Sequence, residues 1–191
     1  MSRLHAENLH IGYGDRLIVQ GLNVSIPDQQ MTAIIGPNGC GKSTLLKAMT
    51  RIISPRSGSV LLDGMDIARE NTKTVAKNLA ILRQTPEGAS GLTGADLVSY
   101  GRFPYQKGWG RLTEQDRKMI DWALEMTGTE GFKDRPVDTL SGGQRQRVWI
   151  ALALAQETDI IFLDEPTTYL DLAHQLEVLE LLQKLNREQG R

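Results

Sequence analysis

The chain has 191 residues, 40% hydrophobic and 24% charged, with a formal net charge of −1, which allows one sizeable α/β core and argues against nucleic acid as a partner. Cys40 is the sole cysteine, excluding an internal disulfide framework or a cysteine-built zinc cluster. The longest apolar run, Val148 to Ala155, is far short of the about 20 residues of a bilayer span, and no leader pattern opens the chain, so a soluble, cytoplasmic protein with at most a peripheral membrane role is expected.

In chain order, Arg3 to Pro27 reads as antiparallel strands about a turn at 12–14, with Leu22, Val24 and Ile26 of "LNVSI" on one face. A short apolar strand, "TAIIG" (32–36), runs into a glycine loop, and Ser43 to Ile53 reads as a helix that stops before "SPRSG". "GSVLLDG" and "LAIL" are further strands, the second ending at Arg83 and Gln84. From Thr85 to Thr139 helices separated by Gly and Pro form an inserted lobe, with Met119, Trp122, Ala123 and Met126 on one face of "TEQDRKMIDWALEMTG". Then come a helix from Ser141, the strand "DIIFL" (159–163), apolar at every position after Asp159, and a helix from Asp171. That last helix carries Leu172, Leu176, Leu179, Leu182 and Leu185 on one stripe and has Gly190 as its C-cap. The alternation predicts an α/β fold with a mostly parallel sheet and helices on both faces. It divides as 1–84, 85–140 and 141–191 within one domain.

Gly36, Pro37, Asn38, Gly39, Cys40, Gly41, Lys42 and Ser43 fit G-x-x-x-x-G-K-[ST] between a predicted strand and a predicted helix that continues with Thr44. Backbone N–H groups of such a loop wrap a β-phosphate, Lys42 adds a point charge toward the β and γ oxygens, and the Ser43 hydroxyl can ligate Mg²⁺. Asp164 and Glu165 follow the continuous apolar strand, where ligands bind in parallel sheets. Consecutive residues of an extended chain point to different sides, so Asp164 is assigned to Mg²⁺ and Glu165 to orienting or deprotonating an attacking water.

A second glycine-rich helix start, Ser141-Gly142-Gly143-Gln144, has two readings. Ser and Gln three residues apart make a capping box that only starts a helix. The two glycines weigh against that alone, because each costs up to about 1 kcal/mol relative to Ala and capping needs neither. Bare backbone in a first turn admits a phosphate. One nucleotide needs one cradle, so two copies arranged head to tail, each glycine turn capping the other's nucleotide, account for the second.

"GPNGCGKST", Gln84, "LSGGQ" (140–144), "IIFLDE" and "YLD" (169–171) together resemble the ordered motif set of ABC-type ATPases over nearly the whole chain. The resemblance implies a P-loop NTPase core with an N-terminal antiparallel β subdomain and an inserted helical subdomain, using ATP and Mg²⁺. It implies that Tyr13 stacks on adenine, that Gln84 reaches Mg²⁺ and the water, and that Asp171 links the two subunits' sites. The family also carries a switch histidine after the next strand. His174 stands in the wrong place to be it, and the chain ending at Arg191 is expected to be C-terminally truncated.

"YGRFPYQ" (100–106), "DRPVDTLSGGQRQRVWIALALAQET" (134–158) and "PTTYLDLAHQ" (166–175) resemble the ATPases of ferric-siderophore importers, related to those for haem and vitamin B12. Tyr105, where that subgroup often has His, and Gly94, where an apolar residue is common, depart from it. The resemblance implies membrane permease subunits as partners, a substrate-binding protein indirectly, and a place on the cytoplasmic face of the inner membrane. The stretch from Gln84 to Tyr105 is a candidate docking surface for a permease helix. The bland alternative is that Phe103 and Tyr105 pack the lobe's own core. A soluble, non-transport ABC regulator is the rival class.

Overall fold

A computed structural model describes residues 2–83, 89–106, 111–168 and 170–189. Packing divides the described chain into two units, one running up to Val75 and taken up again from Asn186, the other spanning Ala76–Leu185.

The first unit is built on β1 (Leu4–Tyr13), β2 (Arg16–Ile26), β3 (Ser57–Leu62) and β4 (Met65–Asp66), in sheet order β2-β1-β3-β4. All three pairings are antiparallel, as the alternating N-terminal pattern predicts. Leu4, Ala6 and Leu9 lie opposite Ile26, Val24 and Leu22. Asn23 and Ser25 between them face water, the pattern of a sheet covered on one side. Asp63 and Gly64 both take positive φ, 52° and 80°, which makes the tight primed turn that matches strand twist. Leu4, Leu9, Ile11 and Met49 are wholly buried.

The helix after the glycine loop, α1 (Lys42–Met49), is shorter than the predicted Ser43 to Ile53. It ends because Arg51 turns left-handed at φ 62°. Arg51 N then donates to Ala48 O and Ile52 N to Lys47 O, the paired bonds that close a helix C-terminus, usually around glycine. The predicted strand "TAIIG" does not form: residues 31–37 carry no strand, and Ile35 is 91% exposed. An apolar run becomes a strand only when a neighbour supplies ladder partners, and none is paired with this one among the described residues.

A short helix, α2 (Thr72–Ala76), carries the chain into the second unit. Here β5 (Leu79–Leu82) pairs in parallel with β6 (Ile160–Leu163). The helices are α3 (Gly94–Ser99), a 3₁₀ segment Tyr100–Tyr105, α4 (Glu114–Met126), α5 (Gly142–Ala155) and α6 (Leu172–Gln189). Their core gathers Leu97, Val98, Ile120, Leu124, Val148 and Leu154. Of β6 only Phe162 is fully buried. The rule that a strand apolar along its length is buried on both faces does not hold for it, since it has one ladder neighbour, β5, among the described residues.

Two helix faces also differ from prediction. In α4 the buried positions are Asp116, Ile120, Ala123 and Leu124, with Met119, Trp122 and Met126 only half-buried beside them. In α6, Leu172, Leu176 and Leu179 are exposed, while Val178 and Leu185 are buried. Leucine counts chose one stripe, and packing against the core chose another.

Candidate functional site

In the first unit the chain leaves "TAIIG" and closes a loop in which Cys40 N donates to Pro37 O at 3.4 Å. Gly41 is the N-cap of α1 at φ 102°, no side chain caps the helix start, and its first turn holds no acid. A Cβ at Gly41 would stand 2.8 Å from Ile18 Cγ2, so only glycine fits this turn. Aligned amides at the positive end of a helix whose first turn holds no acid suit an anion. Lys42 Nζ donates to Gly36 O at 2.8 Å and Pro37 O at 3.0 Å, holding the ammonium across the loop. Moving it to a phosphate exchanges two neutral acceptors for ionised ones. Tyr13 ends β1 at the hairpin tip, paired with Arg16 and 48% exposed. Ile18, in the same hairpin, touches the Gly41 turn.

In the second unit Asp164 follows β6, 6% exposed, with its N–H donating to Leu82 O. Glu165 then breaks from the strand at φ 52°, a left-handed conformation that a non-glycine residue adopts at a cost of order 1 kcal/mol or more, and such outliers concentrate at functional sites. Thr168 holds the bend: its N–H donates to Glu165 O at 3.2 Å and its hydroxyl to Glu165 Oε2 at 3.0 Å. Sequence reasoning missed Thr168, although a hydroxyl three residues past an acid is a recognisable turn signal.

Ser141 and Gln144 form the capping box: Gln144 N donates to Ser141 Oγ and Ser141 N to Gln144 Oε1. Asp171 caps α6 in turn, with His174 N donating to its Oδ1 at 2.9 Å and His174 Nδ1 donating to the same oxygen at 2.8 Å. The carboxylate accepts only, which assigns the proton to Nδ1. The His174 backbone N–H, then its ring N–H, hold the Asp171 carboxyl below the usual carboxylate range. The two starts meet at a cleft of about 190 Å³ lined by Ser141, Gly143, Gln144, Arg147, His174 and Glu177 among others. Ser141, Gly143 and Gln144 thus share this cleft with His174, which is hydrogen-bonded to Asp171. Gln84 and Tyr169 lie outside the described residues, and with Gln84 one assigned Mg²⁺ contact.

Sequence reasoning also missed Arg102. It is 2% exposed, donating Nε to Asp116 Oδ1 at 2.9 Å and Nη1 to Ala155 O at 2.7 Å and Glu157 Oε2 at 3.0 Å. The Tyr105 ring covers its guanidinium at 4.0 Å, and Tyr105 Oη donates to Glu157 O. Tyr105 therefore belongs to the lobe's own packing, whereas Tyr100 and Phe103 are 57% and 65% exposed. Burial alone would raise the Asp116 carboxyl. Thr113 and Arg102 outweigh it and leave the group below its ordinary value.

A glycine loop ahead of an uncapped helix, an acid pair after a parallel strand and a capped glycine turn are the local arrangements expected of a nucleotide-hydrolysing cassette. The chain matches the ABC transporter family over residues 19–168 and belongs to it: it is an ATPase of that family. It is 62% identical over 191 residues, all of this chain and 71% of the relative, to the iron(3+)-hydroxamate import ATP-binding protein FhuC of Bacillus subtilis (strain 168). It is 51% identical over 191 residues, all of this chain and 71% of the relative, to the achromobactin transport ATP-binding protein CbrD of Dickeya dadantii (strain 3937). The dimeric structure of MJ0796, a bacterial ABC transporter cassette, superposes with a TM-score of 0.83 at 30% identity, covering 98% of this chain and 84% of that one.

Proposed function

We propose that this chain is the ATP-binding and ATP-hydrolysing subunit of an importer for iron(3+)–siderophore complexes, working as a head-to-tail pair on membrane permease subunits. The uncapped, left-handed helix start at Gly41, with Lys42 beside it, carries the nucleotide reading. The substrate class rests on the import ATPases that match the whole chain.

Residues 36–44 hold the ATP phosphates, and Tyr13 stacks on adenine. Ser43, Asp164 and Gln84 are assigned to Mg²⁺, which when bound offsets negative charge on the phosphates. Glu165 takes the proton of the attacking water, whose oxygen displaces ADP from the γ-phosphorus to give inorganic phosphate. Ser141, Gly142, Gly143 and Gln144 of one copy cap the nucleotide held by the other, and Asp171 sits at the same junction. Closing and reopening of the pair drives alternating access in the permease, which a substrate-binding protein feeds. The exposed Phe103 and Tyr100 support a permease contact on the helical lobe. No helix of the described residues is long and apolar enough to cross a membrane, consistent with a peripheral subunit on the cytoplasmic face.

Glu165→Gln tests the mechanism. ATP binding stays within about twofold, while turnover falls by roughly 10² or more, the share that a positioned base contributes, and an ATP-dependent dimer accumulates. Hydrolysis at the parent rate would remove Glu165 from its role.

A further inference from the structure

The buried stripe of α6 runs at 174, 178, 181 and 185, the i, i+4, i+7, i+11 spacing of one helix face. Val178 and Leu185 are buried on it and Leu181 half-buried. His174 occupies the first position of that stripe, where an apolar residue would continue it. Its ring edge lies on the glycine turn Ser141–Gln144 that opens α5, the signature turn. A Cβ added to Gly143 would stand 2.3 Å from His174 Cδ2, 3.0 Å from Cγ and 3.2 Å from Nε2. The neighbouring glycine differs, because a Cβ on Gly142 would meet only Leu170 Cδ2, at 3.5 Å, which is ordinary contact. The ring is anchored through Nδ1 to Asp171. One turn further along both helices, Arg147 of α5 pairs with Glu177 of α6. The starts of α5 and α6 are therefore tied twice, by a packed ring and by an ion pair.

We propose that His174 is a positioning residue of the signature turn. Its ring, held by Asp171, is the seat on which the first turn of α5 rests, so Ser141–Gln144 and Asp171 face the second copy as one surface. Gly143 is glycine to admit that ring, and of the two glycines only Gly142 is left bare by the chain's own packing. The inference rests on the two-copy reading above.

The test is a cycle in the full-length chain carrying Glu165→Gln, comparing the parent with G143A, H174A and G143A/H174A. ATP-driven dimerisation is followed by sedimentation, and ATP binding to the monomer by a fluorescent nucleotide. In G143A the methyl group overpacks against the ring, and dimerisation weakens by roughly tenfold or more. H174A also weakens it, several-fold. In the double variant the methyl group enters the space that the ring left, so dimerisation returns to the H174A level. Monomer affinity for ATP stays unchanged throughout, which a general loss of structure would not allow.

A double variant no better than G143A would show that the methyl group harms dimerisation without the His174 ring, and would overturn the proposal. So would H174A dimerising like the parent. A parent that fails to dimerise with ATP would remove the two-copy reading, and this inference with it. H174A and the double variant carry no overlap, so they decide the case even where G143A does not fold.

Discussion

Replacing Arg102 by Met keeps an unbranched apolar stem and removes the guanidinium, and the structure sets the size of the loss. Breaking a buried ion pair from one side costs about 3–5 kcal/mol, because the other charge stays behind. Here that charge is Asp116, 3% exposed, whose Oδ1 loses its 2.9 Å partner. Its Oδ2 still accepts from Thr113 N at 2.9 Å and Thr113 Oγ1 at 2.7 Å, which places the expected cost at the low end, about 3 kcal/mol. Glu157, with its side chain 37% exposed, rehydrates and adds little. For a chain of this size that corresponds to a fall of roughly 6–12 °C in Tm. Far-UV circular dichroism during thermal and urea unfolding reads it directly. R102M/D116N leaves no charge stranded and should recover a large part of the loss, a coupling of about 1 kcal/mol or more. A Tm within about 2 °C of the parent for R102M, or strictly additive effects in the double variant, would refute the reasoning.

Thr168→Val keeps the shape and removes the hydroxyl from Glu165 Oε2. A hydrogen bond to a charged group contributes about 1.5–3 kcal/mol, so kcat should fall by roughly tenfold or more at unchanged KM for ATP, and an unaltered kcat would strip Thr168 of its role. Stability should depend on pH in a defined window. The Asp63 carboxyl is held below its ordinary value by hydrogen bonding to Arg3, Asp96 by Thr93, and Asp116 by Thr113 and Arg102 against the opposing effect of burial. A depressed folded-state pKa means that the unfolded chain takes up protons first. The stabilisation is therefore fully present above the unfolded value of about 3.9 and is lost as pH falls through the lower folded values. Urea midpoints should show no pH dependence from these groups between about pH 7 and 5, where their contribution is complete, and a steep loss below about pH 4. Asp96→Asn should flatten that loss, and an equally steep profile in the variant would exclude Asp96 from it.

Much of the site was legible locally. The glycine loop with Lys42 and Ser43, the acid pair after an apolar strand, and the capping box at Ser141 are each specified within a few residues, because a helix start is settled by its own first turn. Arg51 closing α1 was not legible, since the left-handed position expected to hold glycine holds arginine. Nor was the network of Arg102, Asp116 and Glu157, whose members lie 14 and 55 positions from Arg102 and look in sequence like three ordinary surface charges.

The glycines of the signature turn mark the division most clearly. Sequence alone determined that bare backbone begins α5, that a capping box holds it, and that one nucleotide leaves this second turn to another task. Which glycine is bare for which reason was decided by the tertiary structure, which sets His174 against Gly143 and only ordinary contact beside Gly142. Backbone conformation and capping are short-range properties, readable from neighbours in the chain. The volume available at a Cα depends on what another helix, some thirty residues away, brings to it.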